Sequence, residues 1–195
     1  MTPFTALMGF FLLSSAGLAA PALADAPTVP EMPTIPSYEV AMTAYNAVAA
    51  QTDGDPHITA SGAYSNPEVV AARSRDLKDE LPFGTIIEID GPASKQNTCG
   101  YDVVSPILGY RVIADTMNAR FTNRVDVLFD TDANFTMANG TVKNASTIFG
   151  VCRGMTIRVV GHIDPARMQK LPKTQEQLAS IVTGELAKDG ALALK

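Results

Sequence analysis

The stretch 113-IADTMNARFTNRVDVLFDTDA-133 carries four aspartates, Asp115, Asp126, Asp130 and Asp132, in a chain of which only 18% is charged. Two of them, Asp115 and Asp126, interrupt apolar runs where a strand ordinarily places Val or Ile. Side chains alternate along 124–130, so Val125, Val127 and Phe129 point one way while Arg124, Asp126, Leu128 and Asp130 point the other. A solvated face is the plain reading of that second set. Leu128 argues against it, as does the Val125–Val127 pair that brackets Asp126 in the manner of a strand interior. Asp126 and Asp130 lie about 13 Å apart along an extended strand, so any carboxylate partner for Asp126 comes from another strand. Asp115, at the end of the preceding predicted strand, is the candidate. Two carboxylates brought together raise one pKa and hold a proton near neutral pH, the property a general acid needs.

On either side of this stretch, short apolar runs alternate with Gly, Pro, Asn and Asp clusters, the pattern of an all-β domain. Strands are predicted at 38–46, 85–90, 101–105, 109–115, 124–130 and 155–161. Their short length and uneven spacing fit a small barrel better than a regular meander. One short helix is predicted near 143–149, ahead of Gly150. A second, at 174–188, opens on a Thr174-x-x-Gln177 capping pattern and sets Leu178, Ile181, Val182 and Leu186 on one face. It reads as a docked or frayed tail. The segments 91–100 and 132–144 read as surface loops.

The first 24 residues have no charged side chain. Their apolar centre, Phe10 to Leu13, gives way to Ala22-Leu23-Ala24, which predicts a secretory signal peptide over 1–24 cleaved before Asp25; an uncleaved anchor is the other reading. Residues 25–37 hold four prolines and read as an extended linker. The net charge of −5 leaves no basic footprint for nucleic acid. Two cysteines, Cys99 and Cys152, fit one disulfide in an exported chain, with two free thiols as the alternative. Two Cys and two His at unrelated spacings match no zinc pattern.

The aspartate segment, Ala114-Asp115-Thr116 followed by Val125-Asp126-Val127-Leu128-Phe129-Asp130, resembles the three-aspartate (3D) domain. Upstream, Thr43-Ala44-Tyr45, Ile58-Thr59-Ala60-Ser61-Gly62, Val70-Ala71-Ala72 and Leu81-Pro82-Phe83-Gly84-Thr85 resemble that family's elements in order. Downstream, Phe149-Gly150-Val151 and the strand after it resemble the closing strand. The resemblance covers about 38–161 and leaves 162–195 as a tail. It implies a six-stranded double-psi β-barrel, as in the membrane-bound lytic transglycosylase A group. It further implies that Asp126 serves as general acid and then base on the glycan strands of peptidoglycan. Asp115 and Asp130 would tune and orient it. Thr43, Tyr45, Thr59 and Ser61 would bind substrate or carboxylate. No metal or cofactor is required, and the expected setting is a monomer secreted to the periplasm or bacterial cell wall, free of the membrane once cleaved.

The chain departs from the family where glycines follow the first aspartate. Met117-Asn118 stand in their place, and a later glycine is replaced within Ala119-Arg120-Phe121-Thr122-Asn123. Glycines there let a sugar chain approach the backbone closely. Asn118, Arg120 and Arg124 either replace them as binding groups or pair with the aspartates, and a paired arginine would lower the pKa of Asp126. Three functions follow as expectations: a glycan-cleaving enzyme, a wall-binding barrel that does not cut, and an envelope module whose aspartates only brace the fold.

Overall fold

A computed structural model describes residues 34–52, 54–92 and 99–188. The predicted signal peptide and nearly all of the proline-rich linker lie outside these residues. Eight strands and three helices follow in chain order: β1 (Ser37–Asn46), β2 (Val70–Arg73), β3 (Thr85–Pro92), α1 (Tyr101–Val104), β4 (Arg111–Thr116), β5 (Arg124–Phe129), β6 (Asn134–Thr136), β7 (Val142–Asn144), α2 (Ala145–Phe149), β8 (Cys152–His162) and α3 (Gln175–Lys188). Six strands close into a barrel in the order β1-β5-β2-β4-β3-β8. Strand β1 runs parallel to β5 and β2 runs parallel to β4, while the other four pairings are antiparallel. This is the expected all-β fold, a closed six-stranded barrel of double-psi type with short helices and a C-terminal helix.

Two predicted elements are corrected. Residues 101–105 are not a strand: 101–104 form α1 and Ser105 opens a 3-10 turn. Only Val104 of that segment is buried and Val103 is 39% exposed, so the apolar pattern has one lining residue and no second face to pair. Pro106 follows in a tight 3-10 turn, where it lacks the N–H a ladder would need. The sixth barrel strand is β2, Val70-Ala71-Ala72-Arg73. All four residues are buried, because β2 sits between β5 and β4. A four-residue run with both faces covered shows no alternation to read. The expected surface loop at 132–144 carries the β6–β7 hairpin.

Alternation along the strands divides the apolar side chains between two clusters. One contains Val40, Met42, Ala71, Ile113, Val125, Val127 and Phe129, with Ala145 and Phe149 of α2. The other contains Tyr45, Val70, Ala72, Val112 and Leu128, with Leu178 and Val182 of α3. The tail therefore docks on the barrel by the apolar face its sequence predicts. Thr174 Oγ accepts from Gln177 N at 3.3 Å, and Gln177 Oε1 accepts from Lys173 N at 2.8 Å, which satisfies two donors near the helix start.

Three further features hold the frame. Cys99 and Cys152 form a disulfide, with Cα atoms 5.2 Å apart and a sequence separation of 53. Closing a loop of that length removes about 4 kcal/mol of denatured-chain entropy in the chain-entropy account. Arg111 is 1% exposed, and its guanidinium donates to the carbonyls of Pro67, Ile107 (3.0 Å) and Leu128 (3.4 Å). Burial pushes its pKa down to about 10 against the opposing charge of Glu68, and it ties three segments together through carbonyls. Gly84 has φ +93, and a Cβ there would stand 2.1 Å from the Ile163 carbonyl oxygen, so the turn into β3 admits only glycine.

Candidate active site

The barrel register lines up four residues across four strands. Thr43 of β1 is paired with Asp126 of β5, Asp126 with Ala72 of β2, and Ala72 with Asp115 of β4. The two aspartates thus stand on either side of one alanine, two strand spacings or about 10 Å apart by Cα. A register shift makes this possible. Ala71 faces Ile113, but Ala72 faces Asp115 and not Ala114, because the ladder slips by one residue on β4. Bulges of this kind re-aim side chains beside functional sites. Ala72, 4% exposed, is the residue between them in the ladder.

The two carboxylates differ in their surroundings. Asp115 is held from three sides: Tyr45 Oη donates to Oδ2 at 3.1 Å, and the backbone N–H groups of Ala60 and Thr116 both donate to Oδ1 at 2.9 Å. Asp126 is partly buried, and its Oδ1 is enclosed with no hydrogen-bond partner among the described residues. Burial pushes the Asp126 carboxyl up to about 6. The Thr43 hydroxyl and the positive charge of Arg124 oppose that rise, and the negative charge of Asp115 adds to it. Tyr45, buried and next to Asp115, is pushed well above the ordinary phenol range and remains a donor.

The loop that reaches Asp115 is compact. Thr59 Oγ1 lies 3.0 Å from Ser61 Oγ, and it accepts from Ala63 N at 3.1 Å. Ser61 N donates to the Ala114 carbonyl at 3.1 Å, which fastens the loop to the end of β4. Gly62, with φ +80, allows the turn. The two hydroxyls named from the sequence therefore shape the loop, and the donor that touches the carboxylate is the Ala60 backbone. No side-chain pattern pointed to that N–H.

Among the remaining site candidates, Arg124 and Arg120 both stack on Phe121, with guanidinium carbons 4.8 and 4.7 Å from the ring centroid. Neither aspartate of the row forms an ion pair with a described residue. Arg124 acts on Asp126 through its charge alone, and its Nε is buried without a partner. Asn118 Oδ1 accepts from Arg120 N at 3.1 Å and closes a local turn after β4. Asn123 is the residue there that takes a left-handed backbone, φ 47, a conformation asparagine tolerates. Asp130 is not brought to the pair. It sits exposed at the far end of the β5 run, where Oδ1 accepts from Asp132 N at 2.8 Å in a local turn.

Two surface cavities lie away from the row. One, about 410 Å³, is lined by Tyr101, Tyr110, Glu88 and Gln175. The other, about 850 Å³, lies between Tyr64 and the segment from Gln169 to Gln177. Neither is lined by Asp115 or Asp126. No protein-family model matches this chain, and no match was found among curated proteins.

Proposed function

We propose that this protein is an exported peptidoglycan-active enzyme that cleaves the bond between N-acetylmuramic acid and N-acetylglucosamine, with Asp126 as general acid and base. The observation that carries the reading is the state of Asp126: a partly buried carboxyl with an enclosed, unpartnered oxygen, pushed up to about 6, set across one ladder residue, Ala72, from a second carboxylate. A group of this kind keeps its proton at mildly acidic pH, as a general acid must.

In the proposed cycle the protonated Asp126 gives its proton to the bridging oxygen as the bond from the muramoyl C1 to that oxygen breaks. The electron pair leaves with the N-acetylglucosamine hydroxyl. The Asp126 carboxylate then takes the proton of the muramoyl 6-hydroxyl as that oxygen bonds to C1. The product is a 1,6-anhydro ring and no water is consumed. One carboxyl serves both steps, so the spaced pair of an ordinary glycosidase is not needed. Asp115, fastened by Tyr45 and two backbone donors, is a fixed negative charge near the positive character that develops at C1. Thr43 orients Asp126 from the other side.

The second reading is a barrel that grips glycan without cutting it. It draws on the three hydrogen bonds that brace Asp115 and on the exposed Tyr64 ring lying parallel to His57. The test is release of anhydromuropeptides from purified sacculi. Wild type releases them, while Asp126→Asn lowers the rate by about a hundredfold or more, a usual size for removal of a general acid, and stays folded. A wild-type protein that releases none overturns the enzyme; binding to sacculi then favours the gripping reading, and no binding favours a purely structural role.

A further inference from the structure

The C-terminal segment does more than cover an apolar face. Asn66 Nδ2 donates to the Lys173 carbonyl at 2.9 Å, and Gln175 exchanges hydrogen bonds with both backbone groups of Tyr110 at 2.9 Å. These bonds set residues 169–177 opposite Tyr64, and the space between is the cavity of about 850 Å³. Its polar lining is Asn66, Gln169, Lys170, Lys173 and Gln177, with the Tyr64 ring, 62% exposed, at one side. Asn66 and Gln177 are engaged in holding the wall. Among the described residues, no hydrogen bond or ion pair engages the side chains of Gln169, Lys170 or Lys173. The nearby Glu68 carboxylate accepts from Gln175 N at 3.3 Å.

Two lysines and the amide-bearing Gln169 among the residues that line one cavity suit a ligand that carries carboxylates and peptide bonds. The chain as a whole is acidic, at −5, so a local pair of cations attracts such a ligand against the general field. The cavity also has a fixed relation to the aspartates. Tyr64 is paired with Ile58 in an isolated bridge, and the loop between them contains Ala60, whose N–H holds Asp115. Four residues of chain reach at most about 13 Å, which bounds the backbone distance from Ala60 to Tyr64. The substrate of the proposed reaction bears acidic peptides that project sideways from its glycan axis.

We infer that the cavity between Tyr64 and the 169–177 segment binds the acidic peptide stems of peptidoglycan, through Lys170 and Lys173, while the glycan lies over Asp126 and Asp115. This rests on the reading that the chain acts on peptidoglycan. It assigns the tail a role in choosing substrate: peptide-bearing strands are held at two places and stripped strands at one.

The probe is a soluble stem tetrapeptide with its carboxylates free, titrated into the full protein and followed by calorimetry at low salt. Wild type binds it, the same peptide with amidated carboxylates binds at least tenfold more weakly, and Lys170→Glu/Lys173→Glu weakens the acidic peptide at least tenfold. Raising the salt to 0.5 M weakens binding of the acidic peptide in wild type. The inference is overturned if wild type does not bind the acidic peptide, binds the amidated one equally, or loses nothing in the double variant. Peptide binding needs no bond cleavage, so the two readings fail separately. A protein that binds the peptide but releases no anhydromuropeptide sinks the enzyme and spares the cavity, and the reverse result sinks the cavity alone.

Discussion

At the residue scale the proposed chemistry turns on Asp126. Its folded pKa near 6 lies above the ordinary unfolded value of about 3.9, so the folded state holds the proton more tightly. Stability is then undiminished below about pH 4, falls as pH rises towards 6, and stays at its lower level above that. Asp126→Asn lacks the titration. The variant is expected to match wild type at pH 3.5 and to exceed it at pH 7 by up to about 3 kcal/mol, as read from urea unfolding at the two pH values. A smaller gain at pH 7 than at pH 3.5 would contradict the burial account. In the proposed reaction, activity follows the same group and in the same direction. The proton donor is the protonated carboxyl, so kcat/KM is expected to fall as pH rises through about 6. Thr43→Val removes a hydroxyl that lowers this pKa, and the falling limb then moves to higher pH. A limb that stays in place separates Thr43 from the titration.

The sequence marked this residue because alternation put Asp126 on the face of Leu128, and carboxylates on such a face are costly to bury. It marked Asp130 by the same alternation, and there the structure shows a local turn at a strand end. The two differ in what covers them. Asp126 has Thr43 on one side and Ala72 on the other, whereas Asp130 has solvent. Covering of that kind belongs to partners distant in the chain.

At the element scale, the one-residue slip between β2 and β4 sets Asp115 opposite Ala72. Nothing in Ile113-Ala114-Asp115 announces it, since each residue suits a strand with or without the slip. Tail docking is more local and more easily broken. Gly109 has φ +55, and a Cβ there would stand 2.2 Å from Gln175 Oε1. Gly109→Ala is expected to displace the Gln175 side chain, free the start of α3 and speed proteolytic cleavage within 163–188 several-fold under native conditions. Equal cleavage in the variant and wild type would mean that the apolar face of α3 alone holds the tail. The helix itself was legible, because its capping residues and its stripe of Leu178, Ile181, Val182 and Leu186 all lie within one short segment. Strand β2 was not, because a run of four buried residues carries no period.

At the scale of the whole molecule, the barrel is a closed set of pairings between segments far apart in sequence, and the disulfide adds one covalent link to that set. Cys99→Ser/Cys152→Ser is expected to lower stability by about 2–4 kcal/mol, as measured by urea unfolding under oxidising conditions. Reduced wild type should unfold at the same urea midpoint as the variant. A variant as stable as the oxidised wild type would show that the barrel's own ladders constrain the unfolded chain enough without the link.

The amino-acid sequence by itself determined the all-β class, five of the six barrel strands, the two later helices and the identity of the two carboxylates, because periodicity and turn residues act within a few positions. Which carboxylate is braced and which is left with an enclosed, unpartnered oxygen was decided only by the tertiary structure. That difference depends on a ladder slip at β4, on a backbone N–H from the 59–63 loop and on the place of Ala72 between two strands. None of these is a property of a local stretch; each exists only once strands from across the chain are paired.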